Sequence, residues 1–278
     1  MANVHVYYPE LVDTSFWGDH KVLLQHDTNL LEKTKFNTPG YAVLESQNHQ
    51  AFLKAFVESK ISNVLNLDME AAAYHLHVDE EQHKRVLNSM PFKKNEESRL
   101  TAYANELEEF ISNVLQEKVK IFNDDIWVRI CRPNSSSKND FNPCHRDVYL
   151  DFYKNVVNVY IPIVGSNEKS SLFVQEGSHL WSEDVTAVTQ GGAYFKSTNK
   201  KYSVDAIVQS KIVLNMVRPN PGAGEILIFS PYLIHGCSDN TNEDTTRMSL
   251  EIRFIKNDVQ GLQQESDINE FMQNRVWR

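Results

Sequence analysis

The sequence lacks any apolar run that approaches the length of a membrane span. A transmembrane helix needs about 20 consecutive apolar residues, and none of the 278 residues belongs to such a segment. The N-terminus also lacks a basic stretch followed by an apolar core, which is the pattern of a secretory signal peptide. These absences predict a soluble, cytoplasmic protein with no membrane partner.

Positive charge is scarce as well. Lys and Arg together number 28 against 37 Asp and Glu, for a formal net charge of −9, and the basic residues form no run. A protein that binds nucleic acid needs a basic stripe to neutralise phosphates. The composition therefore argues against a nucleic-acid partner and favours a small-molecule substrate.

Cysteine is rare and odd in number, because the chain has only three. This count does not predict a disulfide framework. Cys144 and Cys237 lie close in sequence to His145 and His235, which raises the alternative of a zinc site built from thiolates and imidazoles. On an extended strand, however, Cys144 would face away from His145. We therefore interpret Cys144 and Cys237, like Cys131, as packing residues.

Hydrophobic periodicity divides the chain into two regions. Up to residue 117 apolar residues recur at helical spacing, and no chemistry is assigned to three histidines there, which we expect to be solvated: His75, His77 and His83. The predicted helices cover residues 48–65, 78–90 and 98–117, after one early strand at 40–44. From residue 118 the pattern changes to strands, predicted at 126–131, 158–163, 171–174, 224–230 and 247–254.

Two loops are expected to govern binding. The polar, turn-rich segment 133–143 leads directly into the first candidate metal ligand. The long insertion 181–216 separates the two ligand-bearing halves and is a candidate wall of a substrate pocket, although an ordinary surface insertion would have the same sequence character.

The most informative motif is His145-Arg146-Asp147, with His235 much later in the chain. In an extended strand alternate side chains share one face, so His145 and Asp147 could reach one metal together. His235 would complete a facial triad of two histidines and one carboxylate, a donor set typical of non-haem iron(II) with coordination positions left open. His-x-Asp alone is weak evidence, because an exposed turn explains it equally well; its position beside predicted strands favours the metal site.

From about residue 127 to 254 the chain resembles the iron(II) and 2-oxoglutarate-dependent dioxygenases, most closely their phytanoyl-CoA dioxygenase-like branch. The resemblance rests on the order His-x-Asp, strand, Gly-Ser-His turn, insertion, distal His and Arg. It implies that His145, Asp147 and His235 bind iron(II). It also implies that Arg247 pairs with the distal carboxylate of 2-oxoglutarate and that Ser249 hydrogen-bonds to it, which agrees with guanidinium chemistry; Arg253, on the same face, is the competing anchor.

The fold implied by the resemblance is mainly β with flanking helices, around a double-stranded β-helix (a cupin-like jelly roll). We expect one dioxygenase domain over residues 1–278. It would comprise a mainly helical part at 1–117, the jelly-roll core at 118–256 and a C-terminal extension at 257–278. One contact to the inner carboxylate of 2-oxoglutarate stays open, because relatives often carry Asn-Gly where this chain has Ser170-Ser171. Asn158 is a candidate for that contact, and a satisfied buried amide is the alternative.

The implied reaction consumes O2 and 2-oxoglutarate, releases succinate and CO2, and hydroxylates a C–H bond of a small molecule. Natural-product biosynthesis, for example of an alkaloid toxin, is one candidate setting that no residue supports. Asp147 disfavours halogenation, because its carboxylate fills the position that halogenating relatives leave for chloride; desaturation and ring closure stay open. The rivals are a non-catalytic jelly-roll binding module and a zinc-dependent hydrolase. The first does not explain why the triad and Arg247 coincide, and the second leaves Arg247 and Ser249 without a role.

Overall fold

The computed structural model describes residues 4–17, 31, 34, 36, 38–133, 140, 142–197 and 199–257. Their strands form a six-stranded sheet, a four-stranded sheet and a two-stranded hairpin, all antiparallel. The twelve strands of this part of the chain are β1 His5–Val6, β2 Phe16–Trp17, β3 Tyr41–Glu45, β4 Pro91–Lys93, β5 Val119–Cys131, β6 Val157–Val164, β7 Thr186–Val188, β8 Ala193–Phe195, β9 Lys200–Tyr202, β10 Ile207–Ser210, β11 Glu225–Phe229 and β12 Arg247–Lys256.

Three α-helices precede most of the strands, as the periodicity predicts. They are α1 Gln50–Leu65, α2 Glu80–Asn88 and α3 Ser98–Leu115. Helix α2 begins with a capping box, in which Asp79 accepts from the backbone N–H of Gln82 and the Gln82 side chain accepts from the backbone N–H of Asp79. This arrangement satisfies two N–H groups that would otherwise lack partners at the helix start.

The large sheet has the strand order β3-β11-β6-β12-β5-β4 and separates two environments. One face packs against the three helices in the main hydrophobic core, to which β12 contributes Met248, Leu250, Ile252 and Phe254. Since side chains alternate along a strand, Arg247, Ser249, Glu251 and Arg253 project from the opposite face. The polar face of β12 is therefore directed into the space between the sheets.

The smaller sheet, of order β1-β10-β7-β2, lies in the second half of the chain except for its two edge strands, which come from the N-terminus. A second core of apolar residues, among them Val148, Phe152, Ile207 and Ile234, fills the region next to it. This arrangement of antiparallel sheets with helices on the outer face confirms the predicted jelly-roll class.

One predicted strand needs correction, and two other predicted segments lie largely outside the described residues. Residues 171–174 form no strand; only Val174 pairs there, through isolated bridges to Val217 and His235. Most of the loop 133–143 and the extension beyond residue 257 lie outside the described part of the chain. None of the helices in the described part combines the length and the apolar character that a membrane span requires.

Candidate active site

The backbones of His145 and His235 pair with each other in an isolated antiparallel bridge. The N–H of His145 donates to the carbonyl oxygen of His235 at 2.9 Å, and the reciprocal bond is 3.0 Å. His235 also bridges Val174, so it sits between two neighbouring segments. This reciprocal pair places two residues that are far apart in sequence side by side, with their ring centroids 4.3 Å apart.

Both imidazoles are oriented by their own local backbone. Nδ1 of His145 lies 2.6 Å from the carbonyl oxygen of Pro143, and Nδ1 of His235 lies 2.9 Å from that of Leu233. A carbonyl oxygen only accepts hydrogen bonds, so each Nδ1 must carry the proton. In the neutral tautomer each Nε2 then presents its lone pair, the form in which histidine binds a metal.

Asp147 supplies the third donor from a different local structure than the one predicted. It does not continue a strand; it begins a short 3-10 helix, Asp147–Tyr149. Its Oδ1 lies 3.4 Å from Nε2 of His145 and 3.7 Å from Nε2 of His235. One donor atom from each of the three buried residues lies within 4.8 Å of the other two, so together they could hold one metal ion.

The second carboxylate oxygen of Asp147 is held by Arg253. Nε and one terminal nitrogen of Arg253 contact Oδ2 at 3.0 and 2.9 Å, and the guanidinium lies over the ring of Tyr153 at 4.2 Å from its centroid. The predicted alternative role for Arg253, as the 2-oxoglutarate anchor, therefore conflicts with its contacts, because this guanidinium is already paired.

Burial and these charges set the protonation of two of the three donors, Asp147 and His235. Burial alone would raise the pKa of Asp147, but Arg253 and the two imidazoles hold it well below its usual range. Burial, together with the neighbouring imidazole of His145, lowers the pKa of His235 to about 4. Near neutral pH the carboxylate is therefore ionised and His235 is neutral, which is the state that a divalent metal requires.

Arg247 lines the same narrow pocket as His145 and His235, and Ser249 lies two residues further along β12. The guanidinium of Arg247 donates to Oγ of Ser249 at 3.1 Å and to the carbonyl oxygen of Ser238 at 3.3 Å. Within the described part of the chain it forms no ion pair, and its Nε has no hydrogen-bond partner. The fully buried Arg247 thus offers an unmatched positive charge, as a bound dicarboxylate would require.

Asn158, the open candidate for a further contact, lies on β6 opposite Arg253 of β12. It is buried, yet neither polar atom of its side chain has a hydrogen-bond partner among the described residues. The described residues therefore do not satisfy this amide, and its contact to the inner carboxylate of 2-oxoglutarate stays a prediction.

A larger cleft of about 510 Å³ adjoins the triad. His145 and Asp147 line it, and the insertion contributes residues 200–204 to its lining. The predicted role of the insertion as a pocket wall is thus consistent with its position. The proximity of Lys200, Lys201 and Tyr202 to the ligands arises from the β8-β9 hairpin, which no motif in the sequence indicates.

The interpretation of Cys144 and Cys237 as packing residues is wrong, because the two form a disulfide. It joins the segments that carry His145 and His235, so neither sulfur is a free thiolate for zinc. Gly236, between His235 and Cys237, has φ +104°, and a Cβ there would come within 2.5 Å of the carbonyl oxygen of Pro143. Only glycine tolerates both this backbone conformation and this close approach.

His83 is also buried, contrary to the expectation that it is solvated. Its Nδ1 lies 2.9 Å from the Tyr74 hydroxyl and its Nε2 lies 3.3 Å from Asp140. Asp140 accepts from Arg132 at 2.8 Å; burial opposes the ionised form, but Arg132 and His83 lower its pKa to about 2. The helical spacing of His83 and buried Val86 could have indicated this position.

The comparison with family models decides the class of the protein. Residues 36–249 match the model described as phytanoyl-CoA dioxygenase (PhyH), a span that contains the triad, Arg247 and Ser249. The chain belongs to the phytanoyl-CoA dioxygenase family. It is therefore a non-haem oxygenase that depends on iron and 2-oxoglutarate, and the resemblance inferred from the motifs is confirmed.

Solved structures agree on the fold. EctD from S. alaskensis, solved with 2-oxoglutarate and 5-hydroxyectoine, is 16% identical with a TM-score of 0.52, over 92% of this chain and 84% of that one. AviO1 from Streptomyces viridochromogenes Tue57 is 17% identical with a TM-score of 0.51, over 86% and 98%. No curated protein sequence matches the chain.

The donor set of this family member fits iron(II). Two imidazoles and one ionised carboxylate converge, and no further protein donor joins them in the described part of the chain. Three protein ligands on one side of a metal leave positions open for exchangeable ligands. The unpaired guanidinium of Arg247 in the same pocket fits the distal carboxylate of 2-oxoglutarate.

Proposed function

We propose that this enzyme hydroxylates a C–H bond of a small molecule. In this proposal His145, Asp147 and His235 bind iron(II), and Arg247 with Ser249 binds the distal carboxylate of 2-oxoglutarate. The observation that carries the proposal is that both Nε2 atoms and Oδ1 of Asp147 converge, and that the unpaired, buried guanidinium of Arg247 lines the same pocket as the two histidines.

The residues of the candidate site have different roles in this reaction. When bound, iron(II) with 2-oxoglutarate and O2 would supply the oxidising chemistry. The 2-oxoglutarate would leave the site as succinate and CO2. Backbone carbonyls fix the tautomers of His145 and His235, and Arg253 keeps Asp147 ionised and oriented. The cleft beside the triad holds the substrate and limits the water that reaches it.

Asp147 favours oxygen insertion over halogenation, because a carboxylate ligand occupies the coordination position that a halide would need. Hydroxylation is the default outcome, and desaturation and ring closure stay open as chemical alternatives. A setting in natural-product biosynthesis, which only the family resemblance suggests, and a cytoplasmic location stay predictions.

The zinc-hydrolase alternative has less support. A hydrolase needs no buried guanidinium in the pocket, and leaving an arginine without an anion in a buried site is costly. The disulfide also removes Cys144 and Cys237 from the list of available zinc ligands.

Anaerobic titration with iron(II) and 2-oxoglutarate tests the proposal. We expect a weak visible charge-transfer band when the 2-oxoacid chelates iron, and its loss in the His235→Ala variant. The exposed His77→Ala variant is the matched control and should keep the band. Absence of the band in the wild type, or its persistence in His235→Ala, would contradict the metal assignment.

Aerobic turnover tests the oxygenase chemistry separately. The wild type should consume O2 and 2-oxoglutarate and place one atom of labelled dioxygen in the product. Asp147→Gly should abolish this incorporation, whereas Asp151→Gly, at an exposed position nearby, should retain it. Oxygen insertion that survives in Asp147→Gly would remove the carboxylate from the ligand set.

A further inference from the structure

The cleft beside the triad has one predominantly apolar flank. Met90, Trp127, Leu150 and Tyr153 all line it. Leu87, Val128 and Ile130 extend the same wall. A cavity of about 510 Å³ with such walls accommodates the carbon skeleton of a medium-sized molecule.

The charged groups of the cleft are paired within the protein, with the exception of the two lysines on its rim. Arg129 donates to Glu251 at 2.8 Å, and Arg253 is paired with Asp147. Asp140 is paired with Arg132. Each of these pairs neutralises one charge of the lining without help from a ligand.

Lys200 and Lys201 form no ion pair with any described residue. Lys201 is exposed, and its Nζ lies 5.7 Å from the centroid of the Tyr194 ring. Lys200 is partly buried in the cleft wall, and burial lowers its pKa despite the attraction of the more distant Asp140 and Glu80. An ammonium group that loses part of its hydration without gaining a close anion is stabilised when an anion binds.

We propose that the substrate carries an anionic group, a carboxylate, phosphate or sulfate, that binds Lys200 while its apolar body lies against the opposite wall of the cleft. Lys201 strengthens the positive potential at the same rim. This inference rests on the proposed oxygenase function and names the substrate class of the same site.

The anion bound by Lys200 is distinct from 2-oxoglutarate. The narrow pocket that joins the triad to Arg247 is lined by Arg129, Arg247 and Arg253, and no lysine of the described residues lines it. Lys200 lines only the larger cleft, on the insertion side. Two separate cationic positions therefore serve two separate anions, the co-substrate at Arg247 and the substrate at Lys200.

A set of matched probes tests the proposal by direct binding. The probes are 4-phenylbutanoate, its neutral amide, the corresponding amine and 3-phenylpropyl phosphate, which share one apolar body. Binding is measured by calorimetry or ligand-observed NMR, anaerobically, on the protein loaded with iron(II) and saturating 2-oxoglutarate. We expect the anionic probes to bind about tenfold more tightly than the amide, which corresponds to one charge-assisted hydrogen bond, and the amine to bind most weakly.

The Lys200→Gln variant should lose the preference for the anionic probes and keep the affinity for the amide. Lys118→Gln, an exposed lysine outside the cleft, is the matched control and should behave as the wild type. A stronger response to the phosphate or to the carboxylate identifies which anion the site prefers, and either supports the proposal. Equal affinity for the anions and the amide, no binding of the anions at millimolar concentration, or unchanged preference in Lys200→Gln would overturn it.

Two further experiments distinguish a failure of this proposal from a failure of the proposed function. The titration is repeated on metal-free protein without 2-oxoglutarate, where an anion preference that depends on Lys200 would stand even if iron binding failed. It is also repeated on Arg247→Ala. If the anion preference disappears in Arg247→Ala and persists in Lys200→Gln, the anion occupies the co-substrate pocket and the inference about Lys200 is wrong.

Discussion

Arg253 holds one carboxylate oxygen of Asp147, Oδ2, through two of its nitrogens and leaves the other, Oδ1, turned toward the two imidazoles. The two oxygens of one side chain thus have separate tasks. Outer partners of this kind orient a metal ligand and keep it ionised. Arg253 is therefore a positioning residue for the candidate metal site.

We predict that Arg253→Ala weakens iron(II) binding by about 10- to 100-fold, the usual effect of removing an outer partner of a ligand. Arg253→Lys should retain part of the affinity, because it keeps the charge and loses the two-nitrogen contact. Calorimetry with iron(II) or cobalt(II) measures the change. The exposed Arg85→Ala is the control, and equal metal affinity in all of these variants would show that Asp147 needs no support.

We predict that Arg247→Ala loses 2-oxoglutarate affinity while its affinity for iron(II) stays nearly constant. Removing one partner of a buried charge-assisted pair costs on the order of 2 to 5 kcal/mol, or at least ~30-fold in binding. The charge-transfer band measures the 2-oxoglutarate affinity of iron-loaded protein, and calorimetry with iron(II) alone measures the metal affinity. If Arg253→Ala causes this loss with normal metal binding and Arg247→Ala does not, the anchor has been placed on the wrong residue of β12.

We predict that the metal-free protein loses stability on acidification, partly through His235. Its folded pKa of about 4 lies below the value of about 6.5 expected in the unfolded chain. Between these values the unfolded state binds more protons, so this contribution is complete above the unfolded pKa and falls as pH decreases. The expected loss from this residue is roughly 2 kcal/mol between pH 7 and pH 5.

Urea unfolding of chelator-treated protein at the two pH values measures this loss. His235→Gln should show a smaller decrease in the free energy of unfolding, because its side chain does not titrate. His77→Gln, at an exposed position, should behave like the wild type. An identical decrease in the wild type and His235→Gln would mean that other groups produce the acid sensitivity.

We predict that freshly purified, denatured protein exposes one reactive thiol, that of Cys131, and three after reduction. Replacing Cys144 and Cys237 together by Ala should lower the free energy of unfolding by roughly 2 to 4 kcal/mol, because the disulfide restricts the unfolded chain. Thiol titration and denaturant unfolding are the measurements. Three reactive thiols without reductant would show that the pair does not form in solution.

Regular periodicity made much of the fold readable from the sequence. The strict alternation of β12 identified both its apolar face and the polar face that carries Arg247 and Ser249. The helices α1 and α3 followed from their apolar spacing to within a few residues at each end. Elements of this kind are defined by local pattern, which is why they could be predicted.

The features that were missed depend on contacts between distant segments. The Cys144–Cys237 pair spans 93 positions of the chain. The third cysteine, Cys131, makes the total odd, and an odd total did not indicate a disulfide. The turn at Asp147 replaces an expected strand, because the pairing of His145 is a single bridge and not a ladder. Lys200 has no motif of its own; only the hairpin that carries it brings it to the cleft.

The reciprocal bridge between His145 and His235 and the disulfide beside it close a loop that contains the whole pocket-forming insertion. The two ends of this loop are held together at the metal site, while the segment around the β8-β9 hairpin within it lines the cleft. The insertion is therefore a segment that could be exchanged between members of the family. Exchanging residues 190–204 with the equivalent hairpin of a relative should change which substrate binds and leave the metal centre assembled. The same fold could then act on new substrates.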